Sequence, residues 1–192
     1  MEQLNFITAI KEYLIATFSE IDLWFEKEEE VRQFRPPSNG WTIDEILEHI
    51  ALTNHFLLIL IDKGKNKALQ NRSKLVLEEE LKTYTFNGNK LTEVGLHESF
   101  TWIRPAHMEP KGEKTLIEVK EELQLQLKQC LASLDELKNG EGILYKTTMS
   151  VNNLGKIDVY EYIYFLAQHG KRHITQMTKN ELAYNKNKKI TI

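Results

Sequence analysis

Apolar residues recur every three or four positions along most of the chain, the spacing that places side chains on one face of an α-helix. In the first segment, this face holds Leu4, Ile7, Leu14, Phe18, Ile21 and Phe25. Pro36, Pro37 and Gly40 follow soon afterwards, and these residue types interrupt helices. The pattern therefore predicts a first long helix over residues 2–27.

Three further helices are predicted from the way they begin. A Thr or Asp followed three residues later by Glu forms a capping box, in which each side chain accepts a hydrogen bond from the other residue's backbone N–H. The chain has this pattern at Thr42 and Glu45, at Thr115 and Glu118, and at Asp158 and Glu161. With the apolar spacing that follows, the three boxes predict helices over 43–62, 116–138 and 159–183. Gly64 is the expected end of the first of these, since glycine is common just after a helix.

The connection between the second and third long helices, residues 64–114, is too long for a plain loop in a compact domain. Residues 74–84 favour a short extra helix, whereas 86–110 is predicted to be irregular. Residues 142–155 indicate a short strand or an extended loop. The sequence thus predicts an all-α four-helix bundle with one long crossover between helices 2 and 3. We expect a single domain over 1–192 with a flexible tail at about 185–192.

Composition restricts the kinds of partner and the cellular location expected for the protein. The chain has 192 residues, a net charge of −3 and one cysteine, Cys130, which we expect to be a small buried apolar residue. Nucleic-acid binding is disfavoured, because it needs a clustered basic surface. The longest apolar run, 56–61, is far shorter than the roughly 20 residues of a membrane span. No segment has the composition of a secretory signal, so we expect a cytoplasmic protein that binds no nucleic acid or membrane.

Histidines are the candidate chemical groups. His169 and His173 lie one helical turn apart, on a stripe that also carries Leu166 and Met177. His49 lies on an apolar face of the second helix, whereas His55 points about 120° away from it. Neutral imidazole binds zinc, nickel, copper and iron, and helix bundles hold metals through side chains on facing helices. The alternative is that these histidines fill the core and donate to backbone carbonyls.

Two motifs resemble those of the DinB-like family, whose members are four-helix bundles with a three-histidine metal site. They are "GWTIDEILEHIALTNHF" at the start of the second helix and "HGKRHITQM" near the end of the last. The resemblance spans roughly residues 2–183. It implies a divalent transition metal, nickel or zinc above all, bound by His49, His169 and His173 with water completing the shell. The chain departs from the family at Ile174, where members often have an arginine.

The resemblance also limits the possible functions. Characterised relatives include thiol S-transferases that use low-molecular-weight thiols and metal-dependent hydrolases, and many members form homodimers. The first hypothesis is therefore a metalloenzyme that activates a thiol or a water toward a small-molecule substrate, with no catalytic side chain assigned. The second is a non-catalytic metal- or ligand-binding bundle related to stress.

A few other residues are candidates for the surroundings of the metal. Gln176 and Tyr162 could orient a ligand or a water, although Gln176 could equally line a polar helix edge and Tyr162 could serve packing. In the crossover, the candidates for substrate contacts are Trp102, Arg104, His107 and Glu109. The alternative for that segment is an ordered surface loop anchored by a buried tryptophan.

Overall fold

A computed structural model describes residues 4–101 and 105–190. The helices in these residues are α1 (Asn5–Asp22), α2 (Glu29–Arg32), α3 (Ile43–Asn71), α4 (Leu77–Thr83), α5 (Gly88–Gly95), α6 (Leu116–Glu136) and α7 (Val159–Ile190). Strands β1 (Lys146–Met149) and β2 (Gly155–Asp158) pair antiparallel, with Lys146 opposite Asp158. Short 3₁₀ segments lie at 23–26, 106–108, 141–144 and 151–153.

The four long helices α1, α3, α6 and α7 form the bundle, as the sequence predicted. Helices α3 and α6 are parallel, because Gln126 bonds the carbonyl of Ala51 and, further along both helices, Lys65 bonds Glu136. Parallel neighbours require the chain to travel back along the bundle between them. This requirement explains the long crossover.

Helices α1 and α7 are also parallel to each other and run opposite to α3. The hydroxyl of Tyr13 donates to Gln168, and Lys171 bonds Glu20 further along the pair. The N-terminal side of α3 instead meets the C-terminal half of α7, where Asn180 donates to the carbonyl of Trp41. This antiparallel pairing brings the two histidine motifs to the same level of the bundle.

The three predicted capping boxes are confirmed. Thr42 with Glu45 and Thr115 with Glu118 each form both reciprocal bonds. At the start of α7, the Glu161 N–H donates to Asp158 Oδ1 and the Asp158 N–H donates to Glu161 Oε2. Local sequence therefore sets where these three helices begin.

Three predicted helix ends were wrong. Gly64 does not end the second long helix, since α3 continues to Asn71. A Cβ at Gly64 would lie 3.1 Å from Val159 Cγ2, so this glycine allows close packing against the start of α7. Helix α7 also continues to Ile190, beyond the predicted end at 183. The first helix is shorter than predicted, with a 3₁₀ turn over 23–26 replacing its last residues.

The crossover is more regular than predicted. Helix α4 falls within the expected 74–84, but α5 lies in a stretch predicted to be irregular. Leu91 and Val94 of α5 are fully buried, and Gly95 packs closely on Gln168 of α7. Tertiary contact with α7 thus stabilises a helix too short to form on its own.

The core runs continuously through the bundle. Its fully buried members include Leu14 of α1, Ile50 of α3, Leu134 of α6 and Ile163 of α7. No helix among the described residues is long and apolar enough to cross a lipid bilayer.

Candidate metal centre

Three histidines from two helices meet inside the bundle. His49 comes from α3, and His169 and His173 come from successive turns of α7; all three are buried. Their ring centroids lie 4.5–5.3 Å apart, and one ligand nitrogen from each ring falls within 4.8 Å of the others. The structure therefore brings together the three residues that the sequence singled out.

The spacing of these nitrogens suits a single cation. The Nε2 atoms of His169 and His173 are 3.0 Å apart. If two nitrogens bind the same ion at about 2.1 Å with an N–metal–N angle of about 90°, they lie about 3.0 Å apart. A ligand nitrogen of His49 lies within 4.8 Å of both. The donor set is thus of the kind that binds zinc, nickel, copper or iron.

Hydrogen bonds at the outer ring nitrogens set the direction of the lone pairs. His49 Nδ1–H donates to the carbonyl of Met108 at 2.7 Å, and His173 Nδ1–H donates to Oε1 of Gln176 at 2.9 Å. With the proton on Nδ1, each Nε2 keeps its lone pair and points toward the other imidazoles. Such outer contacts orient metal-binding histidines and raise their basicity. Gln176 therefore contacts one of the three histidines.

Without a metal, a hydrogen bond links His169 to His173. Since His173 carries its proton on Nδ1, its Nε2 accepts from His169 Nε2–H across the 3.0 Å separation. A cation bound here would need the lone pairs of both Nε2 atoms, so the single N–H proton of neutral His169 would have to move to Nδ1. Protonation of either imidazole at Nε2 removes a lone pair, so metal uptake is expected to compete with protons.

Burial lowers the pKa of His169 well below its ordinary value, and positive charge on His173, His49 or Arg172 would lower it further. The low value means that the folded protein holds this imidazole neutral, whereas the unfolded chain protonates it near pH 6.5.

We expect the metal-free protein to lose stability as the pH falls below about 6.5, by up to about 1.4 kcal/mol per pH unit for this one group. Stability falls at low pH because the unfolded chain binds a proton at His169 that the folded protein does not. Urea unfolding of chelator-treated protein at pH 7.5 and 5.5 measures the loss. The variant His169→Gln should show a smaller dependence over this range. An equal dependence in both proteins would contradict the assignment to His169.

Packing around the centre explains the residues between and beside the ligands. A Cβ at Gly170 would lie 3.1 Å from Ile21 Cδ1 and 3.2 Å from Thr17 Cγ2, so this position admits no large side chain without displacing α1. The Trp41 ring lies 4.7 Å from the His49 ring. The Tyr162 hydroxyl donates to the carbonyl of Thr148 in β1, so its hydrogen bond is to the hairpin and not to the imidazoles.

Other candidates lie away from the three imidazoles or outside the described residues. Trp102 and Arg104 belong to the part of the crossover that the structure does not describe. His107 is exposed and packs on Phe56, and Glu109 is exposed. Cys130 is buried, as predicted, and burial raises the pKa of its thiol to about 12.

Two contributors to the site were not predicted. The carbonyl of Met108 bonds His49, but a backbone carbonyl is present at every residue and gives no signal in a sequence. Glu48 is buried beside His49 and accepts two backbone N–H bonds from the crossover. Its position next to a candidate ligand was the only signal in the sequence that could have found it.

Comparison with known proteins assigns the chain to a family. Residues 14–177 match the family model described as the DinB superfamily, and this range includes all three histidines. No curated protein and no solved structure matches the chain. Since the matched range covers most of the sequence, the chain belongs to the DinB superfamily.

Proposed function

We propose that the protein is a metal-dependent enzyme in which His49, His169 and His173 hold a divalent transition metal, nickel or zinc. The reaction is either S-transfer from a low-molecular-weight thiol to a small electrophilic substrate or hydrolysis of a small molecule. The observation that supports this proposal is the convergence of three buried imidazole nitrogens within 4.8 Å.

The number of ligands favours reactive chemistry over a structural role. Structural zinc sites usually have four protein ligands, whereas catalytic sites have three and leave a position for water or substrate. A metal bound there lowers the pKa of a coordinated water or thiol, so that a nucleophile is available near neutral pH.

The protein's own groups prepare this site in two ways. The Met108 carbonyl and the Gln176 side chain hold two imidazoles with Nε2 directed inward. The buried position of all three rings keeps bulk water away, which strengthens electrostatic interactions with a bound nucleophile.

Metal analysis of protein purified without a histidine tag and reconstituted with nickel or zinc tests the first half of the proposal. About one equivalent per chain is expected for a single site of this type. Occupancy far below one equivalent with both metals would overturn it.

The reaction is tested on the metal-loaded protein, with the metal-free protein as the control. Several low-molecular-weight thiols are incubated with a chlorinated or an epoxide acceptor, and products are identified by mass spectrometry. Ester and amide substrates test hydrolysis in parallel. Metal-dependent conjugates support transfer, and metal-dependent cleavage supports hydrolysis. Full metal occupancy without either product would favour the alternative, a non-catalytic metal- or ligand-binding bundle. The homodimer and the cytoplasmic location stay predictions from the sequence.

A further inference from the structure

Residues 105–112, here called the covering segment, are attached to α3 at two neighbouring residues. The carbonyl of Met108 accepts from His49 Nδ1–H at 2.7 Å. The backbone N–H groups of Lys111 and Gly112 donate to the two carboxylate oxygens of Glu48 at 3.1 and 2.9 Å. The covering segment is therefore tied both to a predicted metal ligand and to the residue before it.

Glu48 carries much of this attachment. Glu48 is only 6% exposed, and its carboxylate faces the backbone of the covering segment. A buried carboxylate is costly unless hydrogen bonds replace its water, and bonds between a charged acceptor and backbone N–H groups are stronger than neutral ones. Gly112 has φ +68°, a conformation that glycine adopts without strain.

We propose that Glu48 is a positioning residue of the metal centre. By holding Lys111 and Gly112, it keeps the Met108 carbonyl at His49, and this carbonyl keeps His49 Nε2 directed at His169 and His173. The inference rests on the proposed function, because it requires the three histidines to bind a metal.

Ordering of the covering segment and metal binding are also linked thermodynamically. If the ordered covering segment favours metal binding, bound metal must stabilise the ordered segment by the same free energy. Amide hydrogens of Lys111 and Gly112 should therefore exchange more slowly in the metal-loaded protein.

A matched control separates this role from a general effect on stability. Glu141 is 1% exposed and likewise accepts a backbone N–H, from Asn139 at 3.1 Å. It lies between α6 and β1, where it has no contact with the histidines. Replacing either glutamate removes a buried, hydrogen-bonded carboxylate, but only Glu48 is connected to the predicted ligands.

The test uses the full chain loaded with cobalt(II), whose absorption spectrum reports the geometry of its ligands. The variants are Glu48→Gln, Glu48→Ala and Glu141→Gln. We expect cobalt transfer to a chelator to be about tenfold faster in Glu48→Ala, as for other residues that orient metal ligands, with a changed visible spectrum. Glu48→Gln keeps one acceptor oxygen and should fall between Glu48→Ala and the unaltered protein. Glu141→Gln should keep the original spectrum and release rate, even if it unfolds more easily.

The outcomes distinguish this inference from the proposed function. If the unaltered protein binds no cobalt, nickel or zinc, the proposed function fails and the inference fails with it. If that protein binds cobalt but both Glu48 variants keep its spectrum and release rate, only the inference is overturned. If neither Glu48 variant folds, amide exchange decides: equal exchange at Lys111 and Gly112 with and without metal would reject the linkage.

Discussion

The variant His169→Ala is expected to reduce bound nickel or zinc from about one equivalent per chain to a small fraction of that. His169 is 2% exposed, and its Nε2 lies 3.0 Å from that of His173. Its removal leaves His49 and His173, which come from different helices. The close pair of nitrogens from His169 and His173 is then lost. Metal content is measured after reconstitution and gel filtration, together with circular dichroism to confirm helical structure.

His55→Ala provides the control for this experiment. His55 lies on α3, as His49 does, but it is exposed, and its ring packs on the neighbouring Phe56. Its removal should leave metal content unchanged. Equal metal content in His169→Ala and the unaltered protein would show that any metal binds elsewhere, and the proposed centre would have to be abandoned.

The variant Ile50→Ala is expected to lower the free energy of unfolding by about 2–5 kcal/mol, the usual range for a fully buried isoleucine. Ile50 is 0% exposed and points into the bundle from the residue next to His49. Truncation removes buried apolar surface and leaves a cavity that the four long helices cannot fully close. Urea unfolding monitored by circular dichroism gives the value.

Ile59→Ala is the matched control, because Ile59 lies on the same helix and is 54% exposed. Its effect should stay within about 0.5 kcal/mol. The folded Ile50→Ala protein should still bind metal, since the imidazoles and their hydrogen bonds are unchanged. Similar losses of stability for the two variants would contradict the orientation of α3, and with it the inward direction of His49.

Much of the fold could be predicted because its determinants are local. Helix starts at Thr42, Thr115 and Asp158 depend on hydrogen bonds within four residues. Helix ends were predicted less well, because the same residue type serves different purposes. Gly64 could have ended a helix, but in the bundle it makes room for Val159 instead.

The three histidines of the candidate site could be singled out from the sequence, but their surroundings could not. The i, i+4 spacing of His169 and His173 and the inward face of His49 are periodic features that a single sequence displays. The hydrogen bond from His173 to Gln176 joins residues three apart on one helix, so it too was within reach of the sequence. Contacts from the crossover could not be predicted, because they join residues some sixty positions apart through backbone groups.

By itself, the sequence determined the helical class, the starts of three long helices and the three candidate histidines, because period, caps and residue type are properties of short segments. Only the tertiary structure decided that α3 and α7 run antiparallel with His49 at the level of His169 and His173. It also decided that the Met108 carbonyl and the carboxylate of Glu48 belong to the surroundings of the three histidines. The physical reason is that these contacts join distant parts of the chain, and their geometry is set by how the four helices share one core.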